Sequence, residues 1–185
     1  MPRVVAGKCR GMILEAPKGD ATRPTTDKVK EALFSSIQGR VVDSAFLDVF
    51  SGTGQMAIEA LSRGAESAVL IDQAGKSQQV IRKNLEKTHL LEQARTLKMP
   101  FAEALKLLGK EGASFDIIFM DPPYAMAAQY AKTVSELIGK FQLLREDGLF
   151  IVESDTNTLI NENVTNMTCS KCCKYGSTLI TFFVE

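Results

Sequence analysis

The chain has 185 residues, 45% hydrophobic and 24% charged, with 22 Lys/Arg balanced by 22 Asp/Glu. That composition excludes a wholly disordered chain, and a net charge of zero does not indicate a wholesale polyanion binder. No apolar run approaches the roughly 18–20 residues that a membrane helix needs, and residues 1–8 carry no apolar signal region, so a cytoplasmic protein of one domain, 1–185, is expected.

The first residues alternate as a small hairpin would. Arg3-Val4-Val5-Ala6 leads into a turn at Gly7-Lys8 and back through Met12-Ile13-Leu14, and Pro17-Lys18-Gly19-Asp20 breaks the pattern. Thr25-Thr26-Asp27 reads as a helix cap, with Val29, Ala32, Leu33, Phe34 and Ile37 on one face and Gly39 as the stop. Residues 1–40 hold eight Lys/Arg and four Asp/Glu, a net of +4, which leaves −4 on residues 41–185. A basic head on a mildly acidic body reads either as a solvated face or as a nucleic-acid footprint.

From residue 46 strands and helices alternate. Strands are expected at 46–50, 68–71, 95–99, 115–120 and 149–152, with helices at 54–63, 76–89, 102–108 and about 127–138. Two late runs, 164–169 and 178–184, read as a closing antiparallel pair. Alternation of this kind implies an α/β protein with a parallel, doubly wound sheet, whose ligands sit at the C-terminal strand ends.

Three of those ends carry chemistry. The first reads Asp48-Val-Phe-Ser51-Gly52-Thr53-Gly54-Gln-Met-Ala57, a loose dinucleotide-type glycine turn opening a helix. Glycines let backbone approach a ligand. Asp48 is a poor neighbour for a pyrophosphate but a good one for an ammonium. The second strand ends at Asp72-Gln73, twenty residues beyond Gly52, where a carboxylate suits both hydroxyls of a ribose. A ligand with a ribose, an ammonium and no phosphate is S-adenosylmethionine.

The strand at 115–120 ends in Asp121-Pro122-Pro123-Tyr124. The double proline stiffens the backbone. The Asp121 carboxylate and the Pro122 carbonyl then suit two hydrogen bonds from one NH2 group, and Tyr124 offers an aromatic face to a flat base. Two fixed acceptors draw a nucleobase amine toward tetrahedral geometry and aim its lone pair at an activated methyl group, so catalysis rests on positioning rather than on a strong base.

The four cysteines form no disulfide framework. Cys169-Ser-Lys-Cys172 is followed by Cys173, no second CxxC exists, and the single histidine, His89, lies far off in a helical pattern. No metal site is expected.

Asp-Pro-Pro-Tyr about seventy residues after a Gly-Thr-Gly loop is similar to the signature of S-adenosylmethionine-dependent amino-group methyltransferases. The segments Arg3–Gly11, Arg23-Pro-Thr-Thr-Asp27 through Phe34, Leu47–Gly54 and Glu59–Ala65 make the whole chain resemble the bacterial 16S ribosomal RNA guanine-N2 methyltransferases of the RsmD type.

That resemblance implies a seven-stranded Rossmann-like methyltransferase sheet with its last strand antiparallel and an N-terminal hairpin and helix. It implies S-adenosylmethionine as cofactor, and 16S rRNA within a small ribosomal subunit or assembly intermediate as partner. It divides the domain into an RNA-contacting extension, 1–40, with Arg3, Lys8, Arg10, Arg23 and Lys28 on phosphates, and a catalytic core, 41–185. Two positions depart from the family pattern. Asp72 stands where Glu is frequent, and Met99-Pro100-Phe101 replaces an Asp-Ala pair that recognises the adenine amine, leaving that role to the Phe101 N–H, Met99 and apolar packing. Two rival readings stand beside this one: an adenine-N6 methyltransferase of DNA or RNA, and a non-catalytic ribosome-assembly factor with the same fold.

Overall fold

The structure is a computed structural model that describes residues 1–17, 25–158, 160 and 164–185. The chain falls into two compact units, Met1–Met99 and Pro100–Glu185.

The first unit opens with the expected reversal of chain, but only one antiparallel bridge, Arg3 to Ile13, joins its arms. The turn between them is held by hydrogen bonds from Gly11 N to Val4 O and from Val4 N to Met12 O. Gly7 has φ +81°, and a Cβ there would lie 1.9 Å from the Ser62 carbonyl oxygen, so the turn can lie against the helix carrying Ser62 only with glycine at its tip. Thr26 caps α1 (Asp27–Ser36), its hydroxyl accepting from Val29 N, as the sequence implied. Gly39 does not end that helix. Ile37 does, and Gly39 sits inside a one-turn helix α2 (Gln38–Val41).

β1 (Ala45–Asp48), α3 (Gln55–Ser62), β2 (Ser67–Ile71), α4 (Gly75–Lys87) and β3 (Ala94–Leu97) follow. β1 pairs in parallel with β2, and β2 with β3, in the order β3-β2-β1. All four residues of β1 are buried, as a strand covered on both faces requires. His89 lies two residues beyond α4 with φ +57°, outside the helix.

The second unit begins with α5 (Phe101–Lys110) and β4 (Phe115–Met120), whose last four residues are buried. α6 (Ala127–Phe141) crosses over to β5 (Leu144–Asp155), parallel to β4. β7 (Thr178–Val184) then pairs antiparallel with β5, and β6 (Thr168–Tyr175) antiparallel with β7, giving the order β4-β5-β7-β6. The closing antiparallel pair is present, but β6 starts at Thr168 rather than Val164 and continues through the cysteine-rich run to Tyr175. The seven described strands thus make the expected α/β arrangement with an antiparallel end. Among the described residues no helix is long and apolar enough to cross a membrane.

Candidate active site

Seven of the residues singled out for a cofactor meet at adjacent strand ends in the first unit. β1 stops at Asp48, and the chain turns through Ser51 and Gly52 to Gly54, which has φ +76° and serves as the N-cap of α3. A Cβ on Gly54 would lie 3.1 Å from Leu70 and 3.4 Å from Ile81, so the residue answers both a backbone and a packing demand. The turn is tied to β2 by the Ser51 N–H, which donates to Ile71 O at 3.0 Å. The Ser51 hydroxyl donates to Asp48 O at 2.9 Å.

Asp72 organises this loop as well as ending β2. Its Oδ2 accepts from Gly52 N at 3.0 Å and its Oδ1 from Ala74 N at 2.8 Å. The second lone pair of each oxygen is left for a ligand's hydroxyls. Gln73 beside it is exposed.

Asp48 is only 1% exposed, and neither of its carboxylate oxygens has a partner in hydrogen-bond geometry. Burial pushes its pKa up to about 7; the charge of Asp72 adds to the shift, and the backbone N–H groups of Ala57 and Phe50 oppose it. A buried acid without a partner is what a cationic ligand group would satisfy. The donor set therefore fits an amino-acid-bearing nucleoside: a carboxylate for its ammonium, a second for its ribose, and a glycine turn at a helix N-terminus between them.

Two buried polar residues did not stand out in the sequence as functional: one holds the loop from behind, and the other holds the hairpin to α3. Asn84 of α4 donates from Nδ2 to Thr53 O at 2.9 Å and to Glu15 O at 3.1 Å, and accepts Glu15 N at 2.7 Å. It lies on the buried face of α4 with Ile81 and Leu85, and a polar residue on that apolar stripe was the available signal. Glu59 of α3 accepts the backbone N–H groups of Val5 and Ala6, at 2.8 and 2.9 Å.

The other cofactor candidates sit at the boundary. Met99, half-buried, ends the first unit. Pro100 is the N-cap of α5, with its carbonyl accepting from Glu103 N and Ala104 N, both at 3.0 Å. Phe101 stands tilted against Tyr130 of α6, ring centroids 4.9 Å apart.

In the second unit, Asp121 follows the buried β4 directly and is itself half-buried, Pro122 is buried, and Pro123 is exposed. Tyr124 is 37% exposed and opens a 3-10 turn, Tyr124–Met126, that leads into α6 and is closed by Met126 N on Pro123 O at 2.8 Å. The motif is a stiff corner that presents an acid and an aromatic ring at a strand end.

The basic candidates are dispersed. Arg3 is ion-paired with Asp27 at 2.6 Å, and Lys8 donates to Gln93 Oε1 at 2.9 Å. Arg10 and Lys28 are exposed, and Arg23 lies outside the described residues. The head is less basic at its surface than its composition implied, because Lys30 is fully buried against Glu59. Cys169, Cys172 and Cys173 are free thiols strung along β6.

In fold and in its strand-end motifs the protein is a methyltransferase. It belongs to the family described as Conserved hypothetical protein 95, which matches residues 2–184. The Bacillus subtilis (strain 168) protein YlbH is 36% identical over 181 residues, covering 98% of this chain and 97% of that one. Ribosomal RNA small subunit methyltransferase D of Escherichia coli (strain K12) is 33% identical over 153 residues, 83% of this chain and 74% of that protein. The solved structure of the Escherichia coli methyltransferase yhhF superposes with a TM-score of 0.83 at 28% identity, covering 98% and 96% of the two chains.

Proposed function

We propose that the protein transfers a methyl group from S-adenosylmethionine to the exocyclic N2 amine of a guanine in 16S rRNA. The observation that carries the cofactor is Asp48, a buried carboxylate without a partner beside the Gly52–Asp72 loop. The relative named for small-subunit rRNA methylation, aligned over 83% of the chain, supports the substrate.

S-adenosylmethionine, when bound, supplies an electrophilic methyl group on a sulfonium. The chain's own residues do the rest. Asp48 balances the ammonium, Asp72 accepts the ribose hydroxyls, and within the Ser51–Gly54 turn the Thr53 N–H is left for the carboxylate. Gln73 and Met99-Pro100-Phe101 border the base. Asp121 and the Pro122 carbonyl hold the target amine by its two hydrogens, Pro123 keeps the corner stiff, and Tyr124 stacks on the guanine. The proton freed on transfer leaves through Asp121 or to water.

The guanine has to leave its stack to reach Tyr124, so a folded RNA, held within a small ribosomal subunit or an assembly intermediate in the cytoplasm, is the expected substrate. Arg3, Lys8, Arg10, Arg23 and Lys28 contribute phosphate contacts that fix register without reading sequence. No metal takes part.

Mass spectrometry of 16S rRNA nucleosides from cells with and without the protein tests the reading. Loss of one N2-methylguanosine supports it. Loss of an N6-methyladenosine would assign the motif to adenine, and an unchanged profile would leave an assembly factor.

A further inference from the structure

We propose that the groove between α4 and the strand β3 is a second RNA-binding surface, in which Arg82 and Lys98 hold the phosphate backbone. The proposal rests on the RNA-methylating reading above and concerns the α4–β3 flank, which adjoins the Asp48–Asp72 loop through Gln78.

The groove encloses about 600 Å³. Gln78, Gln79 and Arg82 of α4 form one wall, Thr96 of β3 and Lys98 just beyond it the other, and Leu91 closes an end; no carboxylate is among its lining residues. The wall is built before any ligand arrives, because the Gln78 amide nitrogen donates to Asp72 O at 2.8 Å and to Leu97 O at 3.1 Å. One large apolar residue among amides, a hydroxyl and two cations suits a sugar–phosphate chain. A protein partner would want a buried aromatic or aliphatic anchor pocket.

Charge points the same way. Residues 75–98 hold six Lys/Arg and two Asp/Glu, a net of +4 in 24 residues, equal to that of the whole 1–40 head. One of the head's cations, Lys30, is buried, and Arg3 is paired. Arg82 does pair with Glu86 at 2.9 Å, but with side chains 73% and 49% exposed that pair is weak enough to yield to a phosphate.

The groove and the hairpin also share a neighbour in the 3-10 turn after α4. Lys8 donates to Gln93, Cys9 Sγ donates to Thr88 O at 3.4 Å, Lys87 donates to Ile13 O at 2.6 Å, and Lys83 faces Glu15 at 3.7 Å. These interactions lay the hairpin along the C-terminal half of α4 and against the 3-10 turn Leu91–Gln93, whose first residue lines the groove. Lys8 thus meets, at Gln93, the same 3-10 turn whose Leu91 lines the groove.

The test compares wild type, Arg82→Gln, Lys98→Gln, the double variant and, as control, Lys110→Gln on α5. Binding to a folded 16S rRNA fragment and to purified small ribosomal subunits is titrated against salt, and S-adenosylhomocysteine affinity and Tm are measured on the same proteins. The slope of log affinity against log salt should fall by about 0.7–0.9 for each phosphate no longer neutralised, with cofactor affinity, Tm and the control unchanged. If the double variant binds the RNA fragment with wild-type affinity and slope, the groove is not an RNA surface. Weaker binding to the assembled subunit alone would assign the groove to a ribosomal protein and equally overturn the proposal. Failure of the wild type to bind or methylate any RNA would instead sink the reading on which the proposal rests.

Discussion

Lys30 and Glu59 face each other at 3.6 Å with both side chains completely buried. Glu59 also accepts from Val5 N, Ala6 N and, at 2.8 Å, Arg63 Nε, while Lys30 donates to the Arg3 carbonyl. One carboxylate thereby joins the N-terminal hairpin, α1 and α3. Burial lowers the Lys30 pKa, and Glu59, followed by Asp27, opposes the shift.

The two partners should differ in weight. Glu59→Leu strands a buried ammonium and two backbone N–H groups and should destabilise by about 3–5 kcal/mol. Lys30→Met leaves Glu59 with three donors and should cost about 1–2 kcal/mol. Urea unfolding measures both, and the reverse ranking would make Lys30 the pivot.

Asp48 gives the protein a pH signature. Its pKa rises from 3.8 to about 7 on folding, so between those values the native state holds a proton that the unfolded chain has released. Its stabilising share is therefore full below pH 3.8 and is lost as pH rises toward 7. Asp48→Asn should remove that fall, gaining more in Tm at pH 8 than at pH 5. The same variant should bind S-adenosylhomocysteine more weakly, and the wild-type affinity should rise with pH through about 7 as the carboxylate ionises. Parallel Tm profiles for the two proteins would show that Asp48 is ionised throughout.

Asp72→Ala should weaken S-adenosylhomocysteine binding by about 1.5–3 kcal/mol for each hydrogen bond removed. It also frees the Gly52 and Ala74 amides that Asp72 now holds, so the loop should show faster amide exchange at those two residues. Unchanged affinity by calorimetry would remove Asp72 from the site.

Asp121→Ala deletes an acceptor for the target amine and leaves the first-unit loop untouched. Single-turnover methyl transfer should drop by about 10²-fold or more, with cofactor affinity retained. A rate near wild type would show that Asp121 does not touch the reacting amine.

Much of this protein was legible along the chain because its central strands are buried. A central strand covered on both faces must be a continuous apolar run, so Phe115–Met120 and the β1 segment announced themselves, and with them the strand ends where Asp48, Asp72 and Asp121 stand. The glycine turn and the proline corner were readable for a related reason. Each answers a backbone demand that few residue types meet, as Gly54 does at φ +76°.

What tertiary structure alone decided is which polar groups lose water. Lys30 counted as surface charge until packing placed it against Glu59, and Asn84 looked like one more helix residue until it closed on Thr53 and Glu15. Burial of Asp48 without a partner, the hairpin's anchorage on α3 and α4, and the groove beside β3 were equally silent in the sequence. Local propensity and periodicity act over a few residues. Desolvation is set by whatever arrives from 25 to 69 positions away, as between Lys30 and Gln55 or Glu15 and Asn84.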